Sequence, residues 1–255
     1  MTRSAEWKSG RVVLGIASFA AIVLVWEAAV RLGWANPFFI SQPSAIAMTL
    51  SRSARSGELW HNVAVTFREF AVGYGASVIV GILAGASAGR FRIVEYAIDP
   101  FLWFLYSAPM ISFYPIFVLW FGLGVRTIIA ITFLLSVTQI TASTLSGVRN
   151  VNPALIRAAR SFGANERDLL WKVVLPASVP MVITGLRLGI GRALMGVVVG
   201  ELFGATAGLG FSIAYYGALL KTTDMIASLV VIVVVGVLCT QALSAIEARV
   251  DSWRM

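Results

Sequence analysis

Two arginines, Arg187 and Arg192, interrupt the long apolar run that follows Pro176. If this run is a helix, Arg187 lies eleven residues beyond Pro176, about 16 Å along the axis at ~1.5 Å per residue. An arginine at that depth of a bilayer costs roughly 2.5–3.5 kcal/mol or more, so it should face the interior of a helix bundle. We expect either a cationic lining that favours anionic solutes or a structural arginine bonded to helix carbonyls or to a carboxylate such as Glu201 or Glu27. Arg192 lies about 140° further around the helix, so the two arginines cannot share a face.

The other reactive residue types are sparse. His61 is the only histidine and Cys239 the only cysteine, so a histidine relay, a cysteine metal cluster or an intrachain disulfide is not expected. Glu27, Glu69 and Glu201 lie in or beside apolar runs, all toward one predicted side, which is a poor arrangement for a proton relay. The chain also lacks the G-x-x-x-x-G-K-[ST] phosphate loop. We therefore expect neither an enzyme nor a resident metal or cofactor, and any ATP would be bound by another subunit.

Aromatic residues are concentrated in the third apolar run, where Tyr106 and Phe113 are the candidates for a constriction of a solute path. Such residues could gate the path or stack on a planar solute. Aromatic residues that face lipid or sit at the membrane interface are the commoner case. Tyr106, Phe113, Arg187, Arg192 and Glu201 are the candidate path residues.

Composition places all of these residues in a membrane. The 255 residues are 58% hydrophobic and 13% charged, whereas soluble domains average about 25% charged residues. The formal net charge of +8 could indicate nucleic acid or anionic lipid as a partner. In an integral membrane protein, however, excess basic residues belong to the cytoplasmic loops, so nucleic acid is not needed to explain them.

Apolar runs predict one all-α integral membrane domain over residues 1–255 with six transmembrane helices. The run Leu202–Leu220 is almost long enough to span, but its four glycines favour an external turn followed by a short helix. With the N- and C-termini inside, twelve basic residues lie on the inner side and six outside, with two in a span. The predicted spans cover about residues 12–33, 65–89, 98–122, 126–148, 177–203 and 224–247.

The second span carries small residues at every fourth position, which places them on one ridge of the helix. This spacing predicts a close approach of another helix backbone, and the fifth span repeats it. The ridge residues are Gly73, Ser77, Gly81, Gly85 and Gly89 in the second span, and Gly185, Gly189 and Ala193 in the fifth.

Residues 153–174 form a polar segment between two spans. Asn152 followed by Pro153 predicts a helix start, and Gly163 predicts its end. Asn165 then predicts the start of a second short amphipathic helix, which Pro176 should close before the next span begins. The pattern predicts two short helices joined at a glycine elbow. An amphipathic segment on lipid headgroups and a knob that docks into the groove of a partner are equally consistent with it.

The stretch "AARSFG", nine residues and "VVLP" resembles the cytoplasmic coupling motif of ABC importer permeases, E-A-A, three residues, G, nine residues, I-x-L-P. Arg157 stands where that family usually has glutamate, a charge reversal. The segments "TFREFAVGYGASVIVGILAG", "APMISFYPIFVLWFGLG" and "LPASVPMVITGLRLGIGRALMGVVVGELF" resemble the branch that serves nitrate, sulfonate, taurine and related importers. In that family the "GLG" run is not a crossing. The resemblance implies an ATPase-docking surface that includes Arg157, Ala158, Ala159, Gly163, Ala164, Asn165, Leu175 and Pro176.

The resemblance implies a type I ABC importer permease in a bacterial inner membrane, with both termini cytoplasmic and coupling helices at 153–174. Its expected partners are an ABC ATP-binding subunit, a second permease copy in a homodimer, an extracytoplasmic substrate-binding protein and membrane lipid. The expected solute is small and is an anion such as nitrate, a sulfonate such as taurine, or a related organic acid. The alternatives are a self-contained secondary transporter or channel, and an ABC permease for a neutral vitamin precursor.

Overall fold

The computed structural model describes the backbone of residues 3–251 and the side chains of residues 14–245, and every regular element in that part is helical. Five helices are long and apolar enough to cross a membrane, and a sharply bent helix pair brings the number to six if it counts as one span. The elements are α1 (Arg3–Arg31), α2 (Pro43–Ser56), α3 (Glu58–Arg90), α4 (Arg92–Ser107), a 3-10 turn (Met110–Phe113), α5 (Tyr114–Phe121), α6 (Val125–Arg149), α7 (Pro153–Ser161), α8 (Glu166–Leu169), a π-helical turn (Leu170–Val174), α9 (Leu175–Gly204), α10 (Leu209–Ala218) and α11 (Thr222–Asp251).

The chain divides into two compact units. The smaller unit contains the residues up to His61 and Ser212–Val230. In it, Glu27 of α1 accepts a hydrogen bond from Arg31 at 2.7 Å, and it also accepts hydrogen bonds from the backbone N–H and hydroxyl of Ser44 at the start of α2. Helix α2 was not predicted from the sequence.

The larger unit contains Asn62–Phe211 and the residues from Val231 onward, and α6 is its centre. In an apolar 18-residue stretch of α6, 61% of the residues are buried, compared with 28% in the corresponding stretch of α3 and 33% in that of the helix that includes α9. The predicted glycine ridges explain this burial, because both α3 and α9 pack on α6. A Cβ atom at Gly81 would lie 2.8 Å from the Ile140 side chain, and one at Gly185 would lie 2.6 Å from Cβ of Ser143.

A hydroxyl pair reinforces the contact between α3 and α6. Ser136 Oγ donates to Ser77 Oγ at 2.8 Å, and both side chains are fully buried. Between membrane helices the close approach of backbones favours dispersion contacts, and interhelical hydrogen bonds average about 0.6 kcal/mol. The ridge of the second span therefore does what its spacing predicts.

The third span departs from the sequence prediction. A single crossing over residues 98–122 was expected, but α4 and the following segment Met110–Phe121 meet at an angle of 97°. Ala108 has extended backbone angles, as expected for a residue before a proline, and Pro109 has no N–H to continue the helix. The bend creates a concave surface beside α6. Helix α10 has ten residues, too short to span, as predicted for the "GLG" run.

Candidate functional site

The elbow between α7 and α8 has the local geometry that its sequence predicts. Asn152 Oδ1 accepts a hydrogen bond from the Ala154 N–H at 2.9 Å, and Pro153 occupies the first helical turn. Gly163 has φ +80°, a left-handed conformation that glycine adopts without strain. The Ala164 N–H donates to the carbonyl of Ala159 at 3.1 Å, closing the end of α7.

The second helix of the elbow is not separate from the fifth span, which corrects the sequence prediction. Asn165 Oδ1 caps α8 by accepting from the Asp168 N–H at 2.9 Å, as expected. However, the helix does not stop before Pro176. It passes through the π-helical turn into α9, so that one helical run extends over Glu166–Gly204. The wider turn fits the proline because a proline near the start of α9 has no N–H to contribute.

The elbow has one anchored face and one exposed face. Leu169 and Val174 are buried against Val148 and Val151 near the end of α6, and Ile156 of α7 packs on this cluster. Glu166 forms ion pairs with Arg90 at the end of α3 and with Arg160 of α7. These contacts hold the elbow against the bundle.

The opposite face of the elbow is open. Helix α7 has no buried residue, and Phe162, at its C-terminal end, is 92% exposed. Arg157, Ala158 and Pro176 are exposed, whereas Ala159, Ala164 and Leu175 are half-buried. The predicted docking residues therefore divide between a surface available to a partner and positions that shape the elbow.

A cavity of about 250 Å³ lies in the concave surface formed by the bent pair, α6 and α9. Tyr106 and Arg192, two of the candidate path residues, line it. Tyr106 donates its hydroxyl proton to Gln139 Oε1 of α6 at 3.2 Å. The lining consists of Leu105, Tyr106, Ala108, Pro109, Met110, Ile111, Leu134, Leu135, Thr138, Gln139, Arg192 and Met195.

The other path candidates do not line this cavity. Phe113 packs edge-on against Phe104, with 6.1 Å between ring centroids. Arg187 points to α11, where Nη2 is 3.4 Å from Ser244 Oγ, consistent with the predicted divergence from Arg192. Gln139 was not predicted as a path residue, although it is a lone amide within an apolar span, which is a signal for such a role.

Glu201 is almost fully buried and holds the loop that precedes α10. Its two carboxylate oxygens accept hydrogen bonds from the Thr66 hydroxyl at 2.7 Å and from the Gly210 N–H at 2.6 Å. The Thr66 hydroxyl oxygen accepts from the Leu209 N–H at 2.9 Å. Gly208 has φ +116°, and a Cβ atom there would overlap the Glu201 carboxylate. The "GLG" turn is thus built around this carboxylate.

A second buried carboxyl group, that of Glu69, lies beside Glu201. Glu69 is 2% exposed, and its Oε2 atom has no hydrogen-bond partner in the described part of the chain. Glu69 and Glu201 were predicted on the same side of the membrane, but their proximity was not predicted.

Comparison with known proteins identifies the arrangement. The family described as "Binding-protein-dependent transport system inner membrane component" matches residues 77–252. The taurine transport system permease protein TauC of Escherichia coli strain K12 is 31% identical over 260 residues, covering 99% of this chain and 94% of that protein. A protein of Bacillus subtilis strain 168 named for aliphatic sulfonates transport, SsuC, is 29% identical and covers 92% of this chain and 85% of its own length.

The fold is also that of a solved importer. A chain of the MetNI methionine ABC transporter, in an inward-facing conformation, superposes with a TM-score of 0.57 and 23% identity, covering 76% of this chain and 94% of that one. The chain therefore belongs to the inner membrane components of binding-protein-dependent transport systems, and it is an ABC importer permease of the nitrate, sulfonate and taurine type.

Proposed function

We propose that this chain is the transmembrane subunit of an ATP-driven importer for small organic solutes that carry an anionic group, with sulfonates such as taurine as the first candidates. Two copies would form the translocation path, an ABC ATPase would bind residues 153–174, and an extracytoplasmic binding protein would deliver the solute. The similarity to permeases named for taurine and for aliphatic sulfonates supports this solute class.

The unbroken helical run Glu166–Gly204 is the observation that carries the proposal. It joins the exposed elbow directly to α9, the helix that places Arg192 in the cavity. A force applied to the elbow would be transmitted to α9, because the helical run between them is continuous. Closure of an ATPase dimer would thereby change access to the cavity by a rigid-body movement.

The exposed face of the elbow supports a docking role over a passive place on the lipid. Phe162 projects an almost fully exposed aromatic ring from a turn whose geometry is held by two side-chain caps. Aromatic anchors of this kind dominate the energetics of protein interfaces when a partner pocket covers them. The basic residues near the elbow, including Arg90, Arg149 and Arg157, favour the cytoplasmic side for this end, and with it cytoplasmic termini.

Reconstitution tests the coupling. Proteoliposomes would contain the permease, its ATPase and its binding protein, with taurine uptake and ATP hydrolysis measured together. Proline cannot adopt φ +80°, so Gly163→Pro should break the elbow geometry. We expect the variant to enter the membrane and to hydrolyse ATP while taurine uptake falls at least about tenfold.

A matched control uses another left-handed glycine. Gly57 has φ +85° and, like Gly163, has no neighbour within 4 Å of a Cβ position. Gly57→Pro should distort its own turn and leave uptake coupled to hydrolysis. Coupled uptake by Gly163→Pro, or uptake by the wild type without the ATPase, would contradict the proposed function and favour a self-contained transporter.

A further inference from the structure

The polar groups that line the cavity between the bent pair, α6 and α9 have a consistent chemistry. Tyr106 donates its hydroxyl proton to Gln139 Oε1, and Thr138 donates its hydroxyl proton to the carbonyl of Leu134 at 3.1 Å. Neither hydroxyl proton is therefore available to a ligand. Because Oε1 of Gln139 is the acceptor, its NH2 group remains as a donor. Arg192 adds up to five N–H donors and a full positive charge.

No opposing charge neutralises this cation. Arg192 is exposed to the cavity side and has neither a hydrogen bond nor an ion pair among the residues that the structure describes. None of the lining residues is acidic. The free donors and the net charge of the lining therefore suit an anionic group with several oxygen atoms, and the lining offers no carboxylate to an ammonium group.

We infer that this cavity binds the oxyanionic head group of the transported solute, with the Arg192 guanidinium and the Gln139 amide as its donors and Tyr106 as the residue that orients the amide. The inference rests on the proposed function, in which this surface belongs to the solute path. The remaining lining is mostly leucine and methionine, which fits a short alkyl chain. The site therefore recognises organic sulfonates by their anionic end, and its lining offers no partner for an amino group at the other end.

The single native cysteine allows this inference to be tested without ATP and without a binding protein. In a Cys239→Ser background, Met195→Cys places a thiol in the cavity lining. A neutral reagent, methyl methanethiosulfonate, is attacked by the thiolate, which forms a mixed disulfide and releases methanesulfinate. The rate is measured on the full-length permease in lipid nanodiscs, as purified from its membrane.

Ethanesulfonate and taurine should each slow the labelling of Met195→Cys by at least about threefold at saturating concentration. Ethanesulfonamide, a neutral analogue of nearly the same shape, should not slow it. Arg192→Gln should abolish the protection. Gln139→Glu should also abolish it, because this nearly isosteric change keeps an acceptor for Tyr106 but replaces the donor amide by a negative charge.

Leu188 provides the control position, because it is half-exposed on the same helix and does not line the cavity. Labelling of Leu188→Cys should be the same with and without the sulfonates. Protection by ethanesulfonamide, protection that survives Arg192→Gln, or equal protection at Leu188→Cys would overturn the inference. Protection that persists while ATP-driven uptake fails in proteoliposomes would refute only the proposed function, and coupled uptake without protection would refute only the anion site.

Discussion

Replacement of Gly85 by alanine tests whether the α3–α6 contact depends on the absence of a side chain. A Cβ atom at Gly85 would lie 2.5 Å from the carbonyl oxygen of Thr141 and 2.6 Å from Cβ of Thr144. Ordinary contact begins near 3.4 Å, so the helices would have to separate by about 0.9 Å. The obstacle includes backbone, which cannot rotate away as a flexible side chain does. Overpacking of this kind typically costs ~1–3 kcal/mol.

A matched substitution separates packing from helix propensity. Gly75 lies in the same helix and has no atom within 4 Å of a Cβ position. Alanine at either position gains about 1 kcal/mol of helix propensity by soluble-protein scales, so this contribution cancels in the comparison. Gly85→Ala should therefore be roughly 1–3 kcal/mol less stable than Gly75→Ala.

The free energies of unfolding would be measured by titrating the purified permease from mild-detergent micelles into SDS and following the loss of helix by circular dichroism. A Gly85→Ala protein as stable as Gly75→Ala would refute the close backbone contact on which this reasoning depends. Reduced stability of both variants to the same extent would also refute it, because the effect would then not depend on the α6 contact.

Two further substitutions probe the buried carboxylate and the exposed ion pairs. Glu201→Ala leaves the buried donors of Thr66 and Gly210 without partners at roughly 1–3 kcal/mol each, so we expect loss of folded protein on size-exclusion chromatography and faster proteolysis of the adjacent loop. Normal folding and proteolysis would show that the loop does not depend on this carboxylate. Glu166→Ala removes the ion pairs with Arg90 and a second arginine, but these are partly or largely exposed, so the free energy of unfolding should fall by less than about 1 kcal/mol in the same SDS titration. A loss above about 2 kcal/mol would indicate that the elbow is held mainly by charge.

Features that depend on a few neighbouring residues could be predicted from the sequence. The caps and the turn of the elbow could be predicted from neighbouring residues alone. Asn152 and Asn165 bond backbone N–H groups two and three positions away, and the turn needs only the left-handed conformation of Gly163. The glycine ridge was equally readable, because a helix repeats its faces at a fixed period. However, the sequence did not predict that α6 is the helix that both ridges contact.

The bend in the third span and the continuity of α8 with α9 were not predicted. Both involve proline, whose effect on a helix depends on how the surrounding structure satisfies the freed carbonyls. At Pro109 the chain turns through 97°, whereas at Pro176 a π-helical turn absorbs the missing donor and the helix continues. The same residue type therefore has opposite consequences in the two places.

The sequence by itself determined that this is a helical membrane protein, where its long apolar segments lie, where the elbow lies and which family it resembles. All of this is encoded in hydropathy, helical period and local capping, which act over short stretches of chain. Only the tertiary structure decided that Gln139 and Tyr106 line a cavity with Arg192, and that Glu201 holds the loop before α10. Tyr106 and Gln139 are 33 positions apart, and Glu201 is 135 positions from Thr66, so only helix packing brings them within hydrogen-bonding distance.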